Sequence, residues 1–252
     1  MFQEYMRAAM RHAGGVRIDH AMGLMRLWLV PEGAPPDQGA YLTYPLDDLL
    51  RLVALESIRH RAIVIGEDLG TVPEGFRAKL TNSGIAGTAV LWFERQGEQF
   101  APPAAWPDHA VAMTSTHDLP TVAGWWRGLD IAARAALDRS ASQCDRELQQ
   151  RANDRNLLWD AFRHSGAAET EMPPDAPAPA VDAAVRFIAR TPSQLALLPL
   201  EDALGLEHQP NVPGTVNEHP NWRRRYPLTA DTIFDQPEVQ VRARSLTRRS
   251  RP

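Results

Sequence analysis

Three segments run apolar or β-branched and then break into a cluster that bears a carboxylate: VRIDH at 16–20, IVIGEDLG at 63–70 and AMTSTHDLP at 112–120. They offer Asp19, Glu67 and Asp118 as candidate catalytic groups. Cleaving or exchanging a glycosidic bond with retention needs a nucleophile and a general acid/base roughly 5–5.5 Å apart. Positions two apart in a strand face the same side, so Arg17 and Asp19 point together. A guanidinium beside a carboxylate keeps it ionised and oriented, and attack on an anomeric carbon needs an anionic oxygen. Glu67 closes the apolar run 62–66, and an apolar surround helps a general acid to hold its proton near neutral pH. Asp68 is expected to point elsewhere and cap the turn before Leu69 and Gly70.

Each carboxylate also has a purely structural reading. Asp19 alone reads as a strand-end turn cap and Glu67 as a solvated loop acid. Asp118, just ahead of Leu119 and Pro120, reads as a helix N-cap. Taken together they favour chemistry, with Asp118 bonding ring hydroxyls of a distorted sugar and His117 donating to a neighbouring hydroxyl. A metal site at His20, His117 and Asp118 is a minor alternative reading, since no spacing among them resembles a known ligand motif.

The elements that must position these groups alternate. A helix at 3–13, with Tyr5, Met6, Ala9, Met10 and Ala13 near one stripe, leads through Gly14 and Gly15 into a strand at 16–19. A helix at 47–60, with Leu50, Val53, Ala54 and Ile58 on one face, precedes a strand at 62–66. A helix near 73–82 opens on Pro73 and stops at Gly84. Strands at 88–92 and 110–114, helical segments at 120–127, 131–164 and 181–190, and a strand at 195–199 complete the pattern. Strand and helix in alternation read as a parallel α/β architecture. In barrels of this kind the strand C-termini form the catalytic face, and a closed barrel has eight strands where five are visible here. Residues 166–180 read as an exposed Pro/Ala-rich loop, 205–227 as a long ordered loop and 237–252 as a flexible basic tail. Trp28, Trp92 and Trp159 sit in apolar stretches and read as core. Among Trp125, Trp126 and Trp222, one could stack on a sugar, although core packing is the default for each.

With 252 residues, 44% of them hydrophobic, the chain can bury a substantial core. A net charge of −4 gives no electrostatic reason to expect nucleic acid or an anionic membrane as partner. The single Cys144 excludes a disulfide framework and fits a reducing compartment. The N-terminal segment lacks the apolar core of a signal peptide. No apolar run approaches the roughly 20 residues of a membrane span, so a cytoplasmic location is expected.

Four motifs in order, RIDHAMGL (17–24), GEDLGTVP (66–73), TSTHDLPT (114–121) and LPLEDALGLEHQPNVPGTVNEHPNWRRR (198–225), resemble the C-terminal half of amylomaltases, the 4-alpha-glucanotransferases. The resemblance runs over nearly the whole chain. It implies that Asp19 is the nucleophile, Glu67 the acid/base and Asp118 the transition-state stabiliser. It further implies that Arg17 and His117 are partners at the cleaved sugar, and that Asn211 and Pro213 lie at the rim of the site. The implied fold is the C-terminal part of a (β/α)8 barrel, truncated at its N-terminus, with 1–252 as a partial catalytic domain. The implied reaction is retaining transfer of an α-1,4-glucan segment from a maltooligosaccharide donor to glucose or another maltooligosaccharide, through a glycosyl-enzyme and without a cofactor. The motifs leave open an α-amylase-type hydrolase and, for the isolated chain, an inactive glucan-binding fragment.

Overall fold

The computed structural model describes residues 1–135, 141–172 and 176–247. The described chain divides into two compact units, residues 1–88 with 109–111 and residues 89–108 with 112–252. The first holds α1 (Phe2–Met10), β1 (Gly15–Ile18), β2 (Arg26–Leu29), β3 (Ala40–Thr43), α2 (Leu46–His60), β4 (Ile63–Gly66) and α3 (Phe76–Asn82). The boundary runs through β5 (Ile85–Val90) and later through β8 (Ala110–Met113). The second unit holds β6 (Arg95–Gln96), β7 (Gln99–Phe100), α4 (Val122–Arg127), α5 (Leu129–Ala135), α6 (Ala141–His164), α7 (Pro177–Ala189), β9 (Leu195–Leu197), α8 (Leu200–Leu204) and α9 (Pro237–Ser245).

Five parallel strands form the main sheet, in the order β1-β4-β5-β8-β9. Arg17 pairs with Ile65 and Ile18 with Gly66, so β1 and β4 end level with each other, just before Asp19 and Glu67. Two antiparallel pairs, β2 with β3 and β6 with β7, lie outside this sheet and were not expected from the sequence. The expected strand at 88–92 lies earlier in the chain. Gly84, at φ +73°, completes the turn after α3, so buried Ile85 already starts β5.

In the first unit, α1 stops at Met10, and of the expected stripe only Met6 and Met10 are buried. They join Leu50 and Val53 of α2, Val64 of β4, and Phe76 and Leu80 of α3 in one core. The α2 face differs from the expected one: Ile58 is 77% exposed, whereas Glu56 is fully buried. Glu56 accepts hydrogen bonds from Gln3, Arg7 and Arg59 (2.7, 3.1 and 2.9 Å), which satisfies the charge and locks α1 to α2. Pro73 does not open α3, which begins at Phe76 after Gly75 takes a left-handed φ of +75°.

In the second unit, Thr121 and not Asp118 caps α4, its Oγ1 accepting from the Gly124 amide at 3.0 Å. The long helical segment expected at 131–164 is α5 and α6, and residues 136–140 lie outside the described residues. The stretch 166–180 is not loop throughout. Gly166, at φ +69°, ends α6, and the amides of Ala167 and Ala168 bond back to the Phe162 carbonyl. Both alanines are buried, and α7 starts at Pro177, a first-turn proline, instead of at 181. Residues 173–175 of that stretch lie outside the described residues. Of the expected tail 237–252, residues 237–245 are α9, and 248–252 lie outside the described residues. Arg242 of α9 is buried and donates to Asp182 and to the Ala203 carbonyl (2.7 and 2.8 Å), which is why this basic segment folds. Residues 206–231 contain no helix or strand, as expected of a long loop.

The tryptophans separate by burial. Trp125, Trp126 and Trp159 are core, with Trp126, Trp159, Phe162 and Phe187 in successive ring contacts of 5.3–6.0 Å. Trp92 stacks on Trp125 at 4.7 Å. Trp28, read as core, is 44% exposed on the β2–β3 hairpin, and Trp222 is 64% exposed. No described helix is long and apolar enough to cross a membrane.

Candidate active site

In the first unit the site is built where β1 and β4 end. Asp19 leaves β1 into solvent, its side chain 72% exposed, and Arg17 Nη1 meets its Oδ1 at 2.7 Å. The strand alternation thus puts the guanidinium where the sequence placed it. His20 follows at φ +43°, a left-handed conformation that costs a non-glycine residue strain. That turn aims the His20 amide at Glu67, whose Oε2 accepts it at 2.9 Å. Glu67 Oε1 accepts the Leu69 amide at 2.7 Å. The main chain of Glu67 completes the clamp, donating to Ile18 and accepting from Ala21 (2.9 and 2.8 Å). Asp19 and Glu67 are therefore held on adjoining turns, joined through one peptide. Glu67 is half-buried and not sealed in an apolar pocket.

Asp68 departs from its expected role as a turn cap. It is buried, with Oδ2 facing Arg77 Nε at 2.9 Å and Oδ1 accepting the Thr88 amide at 2.9 Å. A Cβ on Gly87 would stand 3.3 Å from Asp68 Oδ2, so the absence of a side chain there leaves room for this carboxylate. Asp68 thus ties the loop after β4 to β5 and to α3.

In the second unit, β8 runs into buried Thr114 and Ser115, and the chain then turns out through His117 and Asp118. Asp118 Oδ1 accepts from Asn211 Nδ2 at 2.6 Å, and Oδ2 lies 3.3 Å from His117 Nε2. The Asn211 amide donates to the His117 carbonyl at 3.2 Å, so the long loop is stitched to the Asp118 turn twice. Pro213 is exposed farther along the same loop. Asn221 holds that loop in shape, accepting from the Val212 amide and donating to Thr215 Oγ1 (2.9 and 2.8 Å).

Sequence reasoning passed over Asp202, which organises this region from beneath. It is fully buried in α8, accepting from Thr114 Oγ1 at 2.5 Å and from the Val122 amide at 2.7 Å. Burial pushes its carboxyl up to about 6, against the lowering effect of those two donors. It lay inside the quoted segment 198–225, but nothing in LEDALG marks this acid as the buried one. Asn221 was equally hidden among polar turn formers. Among the described residues, no group of three His, Cys, Asp or Glu side chains is placed to hold a metal ion.

Parallel strands alternating with helices, with acids just past strand ends, define a domain of the (β/α)-barrel class. The family model described as 4-alpha-glucanotransferase, glycoside hydrolase family 77, matches residues 1–229, and the chain belongs to that family. It is 41% identical over 233 residues to a 4-alpha-glucanotransferase of Mycobacterium tuberculosis, covering 90% of this chain and 32% of the relative. It is 33% identical over 249 residues to one of Haemophilus influenzae, covering 95% and 35%. Its fold is similar to the crystal structure of amylomaltase from Corynebacterium glutamicum, with a TM-score of 0.87 at 28% identity, covering 98% of this chain and 38% of that one. The chain thus spans about a third of the length of the curated relatives it matches.

Proposed function

We propose that this chain carries the reacting carboxylates of a retaining 4-alpha-glucanotransferase. The observation that carries the reading is the Glu67 carboxylate bonded to the amide of the residue next to Asp19, with Arg17 ion-paired to Asp19. A nucleophile oriented by a guanidinium and an acid/base fixed on the adjoining turn are the two parts that retention requires.

In the first step an Asp19 oxygen attacks the anomeric carbon of the donor sugar. The bond from that carbon to the departing glucan's O4 breaks, and Glu67 supplies that oxygen with a proton. In the second step Glu67 takes the proton from the 4-hydroxyl of an incoming glucose or maltooligosaccharide, whose oxygen attacks the same carbon and releases Asp19. Both steps move only protons and electron pairs among carboxylates and sugar oxygens. Asp118, oriented by Asn211 and His117, binds ring hydroxyls of the distorted sugar, with Pro213 at the rim. One cysteine in 252 residues supports the reducing cytoplasm as the site of action.

The test is maltotriose disproportionation by the 252-residue chain, with products separated by chromatography. Glucose together with longer oligomers is expected, and Asp19→Asn should abolish both. Reducing ends without longer products would replace transfer by hydrolysis, and a ladder that survives Asp19→Asn would remove the nucleophile assignment.

A further inference from the structure

Trp222 combines a strained backbone with a large apolar side chain left in solvent. Its φ of +58° lies in the left-handed region, where a bulky side chain is an outlier. Main-chain bonds hold it there: its amide donates to the Pro210 carbonyl at 3.0 Å, and the Arg223 amide donates to Pro220 at 3.1 Å. A strained tryptophan that served packing would be buried, yet this indole is 64% exposed. Its ring lies 5.3 Å from the His117 ring, tilted by 42°, so it continues the surface formed by His117 and Asp118. Trp222 also lines a cavity of about 620 Å³, within the roughly 300–1,000 Å³ of small-molecule sites.

The lining identifies the chemistry of the occupant. Glu201, Glu207, Arg224 and Arg225 set two negative against two positive side chains, so the cavity has no net preference for an anion or a cation. Its acids already have partners, Tyr226 Oη donating to Glu201 at 2.8 Å and Arg127 pairing with Glu207 at 2.9 Å. An apolar indole wall facing a charge-balanced rim of donors and acceptors suits a neutral polyhydroxyl ring. The axial C–H face of such a ring packs on the aromatic plane while its hydroxyls meet the rim.

We propose that Trp222 is the stacking wall of a further glucosyl subsite, adjoining the sugar position at His117–Asp118 and extending along one α-1,4-glucan chain. The assignment rests on the glucanotransferase reading and adds to it a residue that senses the length of the glucan. Energy from this contact is remote from the reacting carbon and available only to chains long enough to reach it.

The experiment is calorimetric titration of the full chain carrying Asp19→Asn, which prevents turnover, with maltose, maltotriose, maltopentaose and maltoheptaose. Adding Trp222→Ala should weaken the longer oligomers by roughly 5–10-fold, the loss of one aromatic contact, and leave maltose unchanged. Trp222→Phe should retain most of the length dependence. Trp222→Gly suits the left-handed backbone, so it should melt no lower than its parent while binding long oligomers as weakly as Trp222→Ala, which separates binding from folding. Unchanged binding of long oligomers in Trp222→Ala would overturn the subsite and leave the glucanotransferase reading standing. Equal weakening of short and long oligomers would overturn the length-sensing role. Absence of binding by the parent for every oligomer would remove the underlying reading and the subsite with it.

Discussion

Each oxygen of Glu67 accepts one amide proton, from His20 and from Leu69, and keeps a second lone pair that can carry the proton its proposed acid/base role needs. Glu67→Gln keeps an acceptor oxygen but has no acidic proton. It should lower transfer from maltotriose by about 10²–10⁴-fold, the usual worth of a general acid/base, with the circular dichroism spectrum unchanged. Asn211 makes a charge-assisted bond of 2.6 Å to Asp118. Such bonds contribute about 1.5–3 kcal/mol, so Asn211→Ala should reduce kcat/KM by roughly 10–100-fold. A kcat/KM within twofold of the parent would show that Asp118 needs no such orientation. At this scale the strand period made Arg17 and Asp19 legible, because facing is decided two residues away. The roles of Asp68, Asp202 and Asn221 were not legible, because each depends on a partner distant in sequence.

Buried carboxylates join elements here, and they respond to pH in opposite senses. Asp202 links the end of β8 to α4 and α8. Its folded value of about 6 stands above the ordinary 3.8, so the folded chain holds this proton more tightly than the unfolded one. The stability that proton contributes is fully present below about 3.8 and is lost as pH rises through about 6. Asp202→Asn keeps an acceptor for Val122 and cannot ionise. Its melting temperature should therefore gain on the parent's between about pH 4 and pH 6, whereas parallel melting curves across that range would contradict the shift. Glu56 behaves in reverse. Burial alone would raise it, but the bonds from Gln3, Arg7 and Arg59 outweigh burial and bring it down to about 2. Its contribution is present above the ordinary 4.5 and is lost as pH falls through about 2. Glu56→Gln should lower the melting temperature at neutral pH, with the gap closing on acidification. Helix α2 itself was visible in its apolar spacing. That its inward face would carry an acid and leave Ile58 in solvent was decided by α1, whose Gln3 and Arg7 reach across.

At the scale of the whole molecule, the main sheet ends at β1 on one side and β9 on the other. Edge strands carry unpaired amides and carbonyls that template association. The β2–β3 hairpin adds exposed Leu27, Trp28, Leu29, Tyr41 and Leu42. The chain should therefore self-associate as its concentration rises between about 1 μM and 1 mM, as read by sedimentation velocity. Leu29→Lys, which places a charge on the exposed hairpin, should reduce that association. A single monomeric boundary across the range would show that neither the edges nor the hairpin recruit another copy.

The sequence by itself determined the alternation of strands and helices, the number of strands in the main sheet and the family. Strand and helix periods are local, and four ordered motifs are a long enough pattern to be specific. Tertiary structure alone decided which acids are buried, where β5 begins, that residues 177–180 belong to α7, and that Trp28 and Trp222 face solvent. Burial and satisfaction of polar groups depend on which distant segments pack together. Asp68 and Glu67 are neighbours of like charge in the chain, and only the arrival of Arg77 and the Thr88 amide on one, and of the His20 amide on the other, makes the first a tie and the second a candidate catalyst.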